Sequence, residues 1–254
     1  MKSFIIATAL SLFVILSLNS TVIVQDSWVK IFDVTRGQTV NSSISLFNPT
    51  ERVVNGRLYQ ADFITNARGD DLYLIPNTYY RSNAEWIRFQ NTFTLQPNQV
   101  FTFPFSFHVP NRNDLSGSYW SILFVEESVD MSQIYPENII INTRSAIEII
   151  TNIIGSDNIN MVFEDFHYSV NTISLTLRNI GDTYFNASVK IDIYSDKAEF
   201  IGSFVSERNR VYPNFAKRVH IPVSLFRYNS YHAIIVADAG NGNVIGHQVS
   251  FSFD

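Results

Sequence analysis

The stretch from Phe101 to Val109 is the clearest alternation of apolar and polar residues in the chain. Four phenylalanines and a valine occupy its odd-numbered positions, and mostly polar residues separate them. Because successive side chains of a strand point to opposite faces, this pattern predicts a strand that buries four aromatic rings on one side. Pro104 lies inside the run and cannot donate a backbone hydrogen bond, so we expect an edge strand or a bulge there.

Shorter alternating segments follow one another through most of the chain, and turn sequences such as Asn48-Pro49 and Asn241-Gly242 separate them. In the first half the predicted strands are Ser27–Phe32, Val40–Phe47, Val53–Phe63, Leu72–Ile75, Trp86–Phe89, Phe101–Val109, Tyr119–Glu126 and Asn138–Ile154. In the second half they are Met161–Ser169, Thr172–Asn179, Ala187–Tyr194, Phe200–Ser206, Arg218–Val223, Tyr231–Asp238 and Val244–Phe253.

Seven or more strands per half are typical of immunoglobulin-like folds. We therefore predict an all-β protein made of two consecutive immunoglobulin-like β-sandwiches, residues 26–154 and 155–254, after an N-terminal signal peptide.

Residues 1–25 carry the features of that signal peptide. Lys2 gives a basic start, and the 15 residues from Phe4 to Leu18 contain no charge. A membrane-spanning helix needs roughly 20 apolar residues, so a cleaved export signal fits better than an uncleaved anchor. No later apolar run is long enough to span a bilayer, and we expect no stable membrane span in the mature chain. The expected location is the periplasm, the cell surface or the medium.

Composition and charge exclude several classes of function. The chain has 254 residues, a formal net charge of −5 and no cysteine. It therefore has no broad basic surface for nucleic acid, no disulfide framework and no thiolate chemistry. The five histidines lack the spacing of metal ligands, and no nucleophile or phosphate-binding motif occurs. We therefore expect a non-enzymatic protein without cofactor or metal.

The segment Asn138–Ile154 is the most unusual part of the sequence, because its 17 residues exceed the usual strand length of about 5–6. One face of such a strand carries Ile139, Ile141, Ile147 and Ile149. If its edge is open, another chain can add a strand, with backbone hydrogen bonds giving affinity and side-chain pockets giving specificity. These four residues, together with Arg144, are the predicted partner-binding residues. The alternative is a fully covered core strand followed by a linker.

The order of motifs resembles periplasmic pilus chaperones of the PapD-like kind. The resemblance is carried by Phe93–Asn98, the alternating strand that follows, Leu115–Trp120 and the isoleucine-rich strand, and it covers most of residues 26–254. It implies that the last strand of the first domain lends apolar side chains to an incomplete pilus subunit, a role that falls on the four isoleucines. Those chaperones also hold the subunit's terminal carboxylate with a lysine in that strand and an arginine in the first strand. Here Glu148 stands in place of the lysine, and Lys30 is the cation of the first strand.

Two segments also resemble WxL-interacting proteins of Gram-positive surfaces, namely Ala61–Gly69 and Gly117–Glu126. That family implies binding to peptidoglycan and to a surface partner, here through Trp86, Trp120 and nearby loops. It normally carries a C-terminal membrane segment, which we do not expect in this chain. The leading hypothesis is therefore strand-mediated binding of another exported or surface protein. The alternative is a structural module of the cell wall or of a surface complex.

Overall fold

The structure is a computed structural model that describes residues 22–128, 144–225 and 230–253. Its elements are 18 strands and one short 3-10 turn at Ala84–Trp86, which confirms the prediction of an all-β fold. No helix in the described ranges could cross a bilayer. The predicted signal peptide lies almost entirely outside the described residues.

Ten strands form the first unit, which we define as residues 23–153. They are β1 Ile23–Val24, β2 Val29–Val34, β3 Thr39–Phe47, β4 Val54–Thr65, β5 Asp71–Leu74, β6 Ile87–Phe89, β7 Thr92–Leu95, β8 Val100–His108, β9 Ser118–Glu127 and β10 Arg144–Ile153. One sheet has the order β1-β3-β8-β6. The other has the order β2-β10-β9-β4-β5, with β7 paired to β4.

The alternating phenylalanine segment forms β8 and fills the core between these two sheets. Phe103, Phe105 and Phe107 are buried there with Ile147 and Ile149 of β10. Phe101 at the start of the strand remains partly exposed.

Pro104 of β8 lies at an open strand edge, as its missing N–H requires. The whole of β8 pairs with β3, whereas β6 pairs only with Phe105 to Phe107. Pro104 therefore lies one residue before the segment of β8 that pairs with β6, and β6 requires no backbone hydrogen bond from it.

Eight strands form the second unit, which we define as residues 161–252. They are β11 Met161–Tyr168, β12 Thr172–Asn179, β13 Phe185–Ser195, β14 Phe200–Val205, β15 Asn209–Val211, β16 Ala216–Pro222, β17 Ser230–Asp238 and β18 Val244–Ser252. One sheet has the order β11-β12-β16, and the other has the order β14-β13-β17-β18 with β15 paired to β13. A separate apolar core lies between them. The boundaries at residues 25/26 and 154/155 stay predictions.

The two units meet in a third apolar cluster, on the outer face of the β2-β10-β9-β4-β5 sheet. Trp120 and Ile150 of the first unit are buried there with Tyr212 of the second, and the rings of Trp120 and Tyr212 have centroids 4.6 Å apart. We call this contact region the joint. Backbone hydrogen bonds extend it, from Ser118 N–H to the Asp182 carbonyl at 2.8 Å and from Arg218 N–H to the Ala67 carbonyl at 2.6 Å.

Candidate functional site

The predicted binding strand is β10, and both of its neighbours belong to the same sheet. It runs antiparallel to β9, from the pair Arg144–Glu126 to the pair Asn152–Ser118. On its other side it runs parallel to β2, but only from Glu148 to Ile153. Of the predicted partner-binding residues, Ile139 and Ile141 lie outside the described residues.

Ile147 and Ile149 are fully buried in the core of the first unit. Their side chains pack among the apolar residues between the two sheets, so a partner cannot contact them without opening that core. Their part in binding stays a prediction. In the described part of β10, a partner can therefore reach backbone groups that precede Glu148, but not the side chains of Ile147 and Ile149.

The first four residues of β10, Arg144 to Ile147, have no described strand on the side where β2 would continue. We call this segment the free edge. The Glu148 N–H donates to the Trp28 carbonyl at 2.9 Å, so it points toward β2. Backbone groups of a strand alternate in direction, so the N–H and C=O of Ala146, two residues earlier, point to the same side. A partner strand could pair with them there.

Arg144 lies at the start of the free edge, but its guanidinium group extends over the other side of β10. The guanidinium carbon is 4.6 Å from the ring centroid of Phe124 on β9 and 5.4 Å from that of Tyr73 on β5. A hydrogen bond with Tyr59 raises the pKa of Arg144 above its ordinary value. The side chain thus organises the aromatic outer face of the sheet, and its part in partner binding stays a prediction.

Glu148 marks the point where the free edge ends and the joint begins. Its Oε2 atom accepts hydrogen bonds from the Arg210 guanidinium and from the Tyr212 hydroxyl, the latter at 2.6 Å. Burial would lower the pKa of Arg210, but Tyr212 and Glu148 raise it above its usual value. Burial raises the pKa of the Tyr212 hydroxyl well above its usual value, so it stays protonated and donates.

Two cations near this position already have acidic partners in the same chain. Arg210 holds Glu148, and Lys30 of β2 forms an ion pair with Asp26 at 3.7 Å between Nζ and Oδ1. A cleft of about 480 Å³ beside Glu148 and Arg210 is also lined by Lys217. Glu148 therefore acts as an internal carboxylate that ties β10 to the second unit.

The tryptophans considered for glycan binding lie inside the protein. Trp86 is 9% exposed and packs on the Tyr119 ring, and Trp120 is 1% exposed within the joint. A sugar ring stacks on an exposed aromatic face, so neither side chain offers such a surface. In the described ranges, no three histidines or acidic residues are grouped so that they could hold a metal ion.

Sequence reasoning missed the residues of the second unit that hold Glu148. Arg210 and Tyr212 are separated from it by 62 and 64 positions. No local pattern connects residues so far apart.

Comparison with solved structures identifies the architecture. A chain from the structure of a chaperone–tip adhesin complex, described as vital for synergistic activation of CFA/I fimbriae biogenesis, matches with a TM-score of 0.51 and 10% identity. The class 5 fimbriae chaperone CfaA matches with a TM-score of 0.50 and 12% identity. In both cases the match covers 90% of this chain and 98% of the other.

The chain has the fold of the PapD-like fimbrial chaperones. The resemblance to these chaperones is thus confirmed at the level of fold, and with it the all-β, immunoglobulin-like class. No family model matches the sequence, and no curated protein matches it. The resemblance to WxL-interacting proteins stays a prediction.

Proposed function

We propose that this is a non-enzymatic, chaperone-like protein of the periplasm or cell surface. It holds another exported protein, such as a fimbrial subunit, by strand pairing along the free edge. The observation that carries the proposal is the incomplete pairing of β10, in which β2 covers only Glu148 to Ile153. Unpaired strand edges recruit other strands, because their N–H and C=O groups are already aligned for hydrogen bonding.

Two further observations support this function. The isoleucine run containing Ile139 and Ile141, which the sequence predicts to contact the partner, lies shortly before the free edge in the sequence. Among the solved structures with this fold, one is a complex between a chaperone and a tip adhesin. We extend to this chain the association with an adhesin that this one complex describes.

The test uses purified exported proteins encoded by genes next to the gene of this protein. Each candidate is mixed with the wild type, with the double variant Ile139→Asp/Ile141→Asp, and with Leu72→Asp as the control. Leu72 is exposed on β5, the opposite edge of the same sheet. We expect the double variant to lose the complex and the control to keep it. Hydrogen exchange should show new protection at Ala146 in the wild-type complex.

Two outcomes would contradict the proposal. If the folded double variant binds the partner as well as the wild type, the isoleucine run plays no part. If only Leu72→Asp loses the complex, the partner uses β5 instead of β10. Sedimentation with purified peptidoglycan tests the cell-wall alternative separately, and the buried positions of Trp86 and Trp120 give no reason to expect binding.

A further inference from the structure

Trp28 is an exposed tryptophan at the end of the free edge. Its carbonyl accepts the hydrogen bond from the Glu148 N–H, which is the first contact of β10 with the β2 side of the sheet. Its residue is 50% exposed, whereas Trp86 and Trp120, the other two tryptophans of the chain, are buried. Among the residues that the structure describes, no other aromatic ring packs against that of Trp28.

Exposure alone does not make a binding residue, because single apolar side chains are common on protein surfaces. The position of Trp28 is the second observation. A strand that pairs with Arg144 to Ile147 must stop where β2 takes over the pairing, and Trp28 immediately precedes β2. The last paired residue of the added strand therefore comes next to Trp28. Tryptophan is one of the residue types most enriched among those that contribute most of the binding energy of an interface.

We propose that Trp28 is the contact for the end of the partner strand, and that the partner is an exported protein with a bulky apolar or aromatic side chain there. The inference rests on the proposed function, since it assumes that a strand pairs with the free edge. It adds a chemical requirement on the partner. About four of its residues, or roughly 13 Å of extended chain, pair with β10 before its terminal side chain packs on the indole ring.

The test uses two fluorescein-labelled decapeptides and fluorescence anisotropy. One peptide alternates valine and threonine, and the other has phenylalanine in place of the outermost residue at each end. We expect the phenylalanine peptide to bind the wild type about fivefold more tightly, because aromatic pairs add roughly 1 kcal/mol beyond the buried area. Trp28→Ala should remove that preference, and Trp28→Phe should keep most of it.

Ile31→Ala is the matched control, because Ile31 is a similarly exposed apolar residue of β2 within the part already paired to β10. It should leave both affinities within about twofold of the wild type. Ala146→Pro removes the N–H that points to the free edge and should weaken both peptides about tenfold or more. Circular dichroism of each variant verifies that it is folded.

The possible results separate the two proposals. If Ala146→Pro weakens binding but Trp28→Ala preserves the preference for phenylalanine, strand pairing stands and the role of Trp28 is refuted. If neither peptide binds the wild type, or if neither variant changes binding, both proposals fail. If Trp28→Ala instead abolishes a dimer seen by sedimentation, a second copy of the chain covers Trp28, which overturns the inference.

Discussion

Replacing Gly117 by alanine tests whether the joint depends on direct backbone contact between the two units. Gly117 has a φ of +65°, and a Cβ atom built on it would be 1.9 Å from the carbonyl oxygen of Asp182. That oxygen accepts the hydrogen bond from the Ser118 N–H. The added Cβ is bonded directly to the backbone and the Asp182 oxygen belongs to the backbone, so neither group can rotate away. The two units must therefore separate locally to accommodate the methyl group.

The expected cost has two parts. A left-handed backbone conformation costs a residue other than glycine about 1 kcal/mol. Displacing Asp182 also leaves the N–H of Ser118, a fully buried residue, without its acceptor, which costs about 1–3 kcal/mol. We therefore expect Gly117→Ala to lower the free energy of unfolding by about 3 kcal/mol.

Gly155 provides a matched control for the first part. Its φ is +79°, but no atom lies within 4 Å of a Cβ built there. Gly155→Ala should therefore cost only about 1 kcal/mol. The difference between the two variants, about 2 kcal/mol, isolates the contact across the joint.

Urea unfolding followed by tryptophan fluorescence measures both variants, and buried Trp120 reports directly on the joint. A shift of the unfolding midpoint with an unchanged slope gives the difference in stability. Equal costs for Gly117→Ala and Gly155→Ala would refute the reasoning, because the close approach to Asp182 would then carry no energetic weight.

Three further predictions concern stability, pH and local opening. Asp62→Ala should lower the free energy of unfolding in urea by about 3–5 kcal/mol, because the buried carboxylate accepts hydrogen bonds from the N–H groups of Thr78 and Tyr79 and from the Ser82 hydroxyl. A loss under about 1 kcal/mol contradicts this. Above pH 10 the unfolded chain releases the Tyr212 proton while the folded chain retains it, so stability should fall with rising pH. Tyr212→Phe should remove up to ~1.4 kcal/mol per pH unit of that fall, and parallel pH curves would argue against it. In the free protein, amide exchange at Ala146 should be at least about tenfold faster than at Ile150; equal rates would mean that the free edge is covered.

Most strands of the fold could be predicted from local pattern alone. The segment predicted as Thr172–Asn179 forms β12 with the same bounds, and Phe101–Val109 differs from β8 by one residue at each end. The strands that were missed, β1, β7 and β15, have two to four residues. Segments so short contain too few residues to show an alternation, and tertiary pairing alone defines them.

The candidate site was predicted less well, for a reason visible in β10. Alternation identified Ile147 and Ile149 as one face of the strand, and they do share a face. The opposite face is also buried, however, because Ile150 packs in the joint against the second unit. When both faces of a strand are covered, polarity no longer distinguishes the surface from the interior. The exposure of Trp28 was also beyond local pattern, because it depends on where β2 begins in the folded sheet.

The order of apolar and polar residues thus determined where strands form, because the alternation of side chains is a local property of an extended chain. Tertiary structure decided which strands lie side by side, where β2 stops covering β10, and which cation holds Glu148. These features depend on contacts between residues far apart in the chain, and their energies come from register and packing that no short segment encodes.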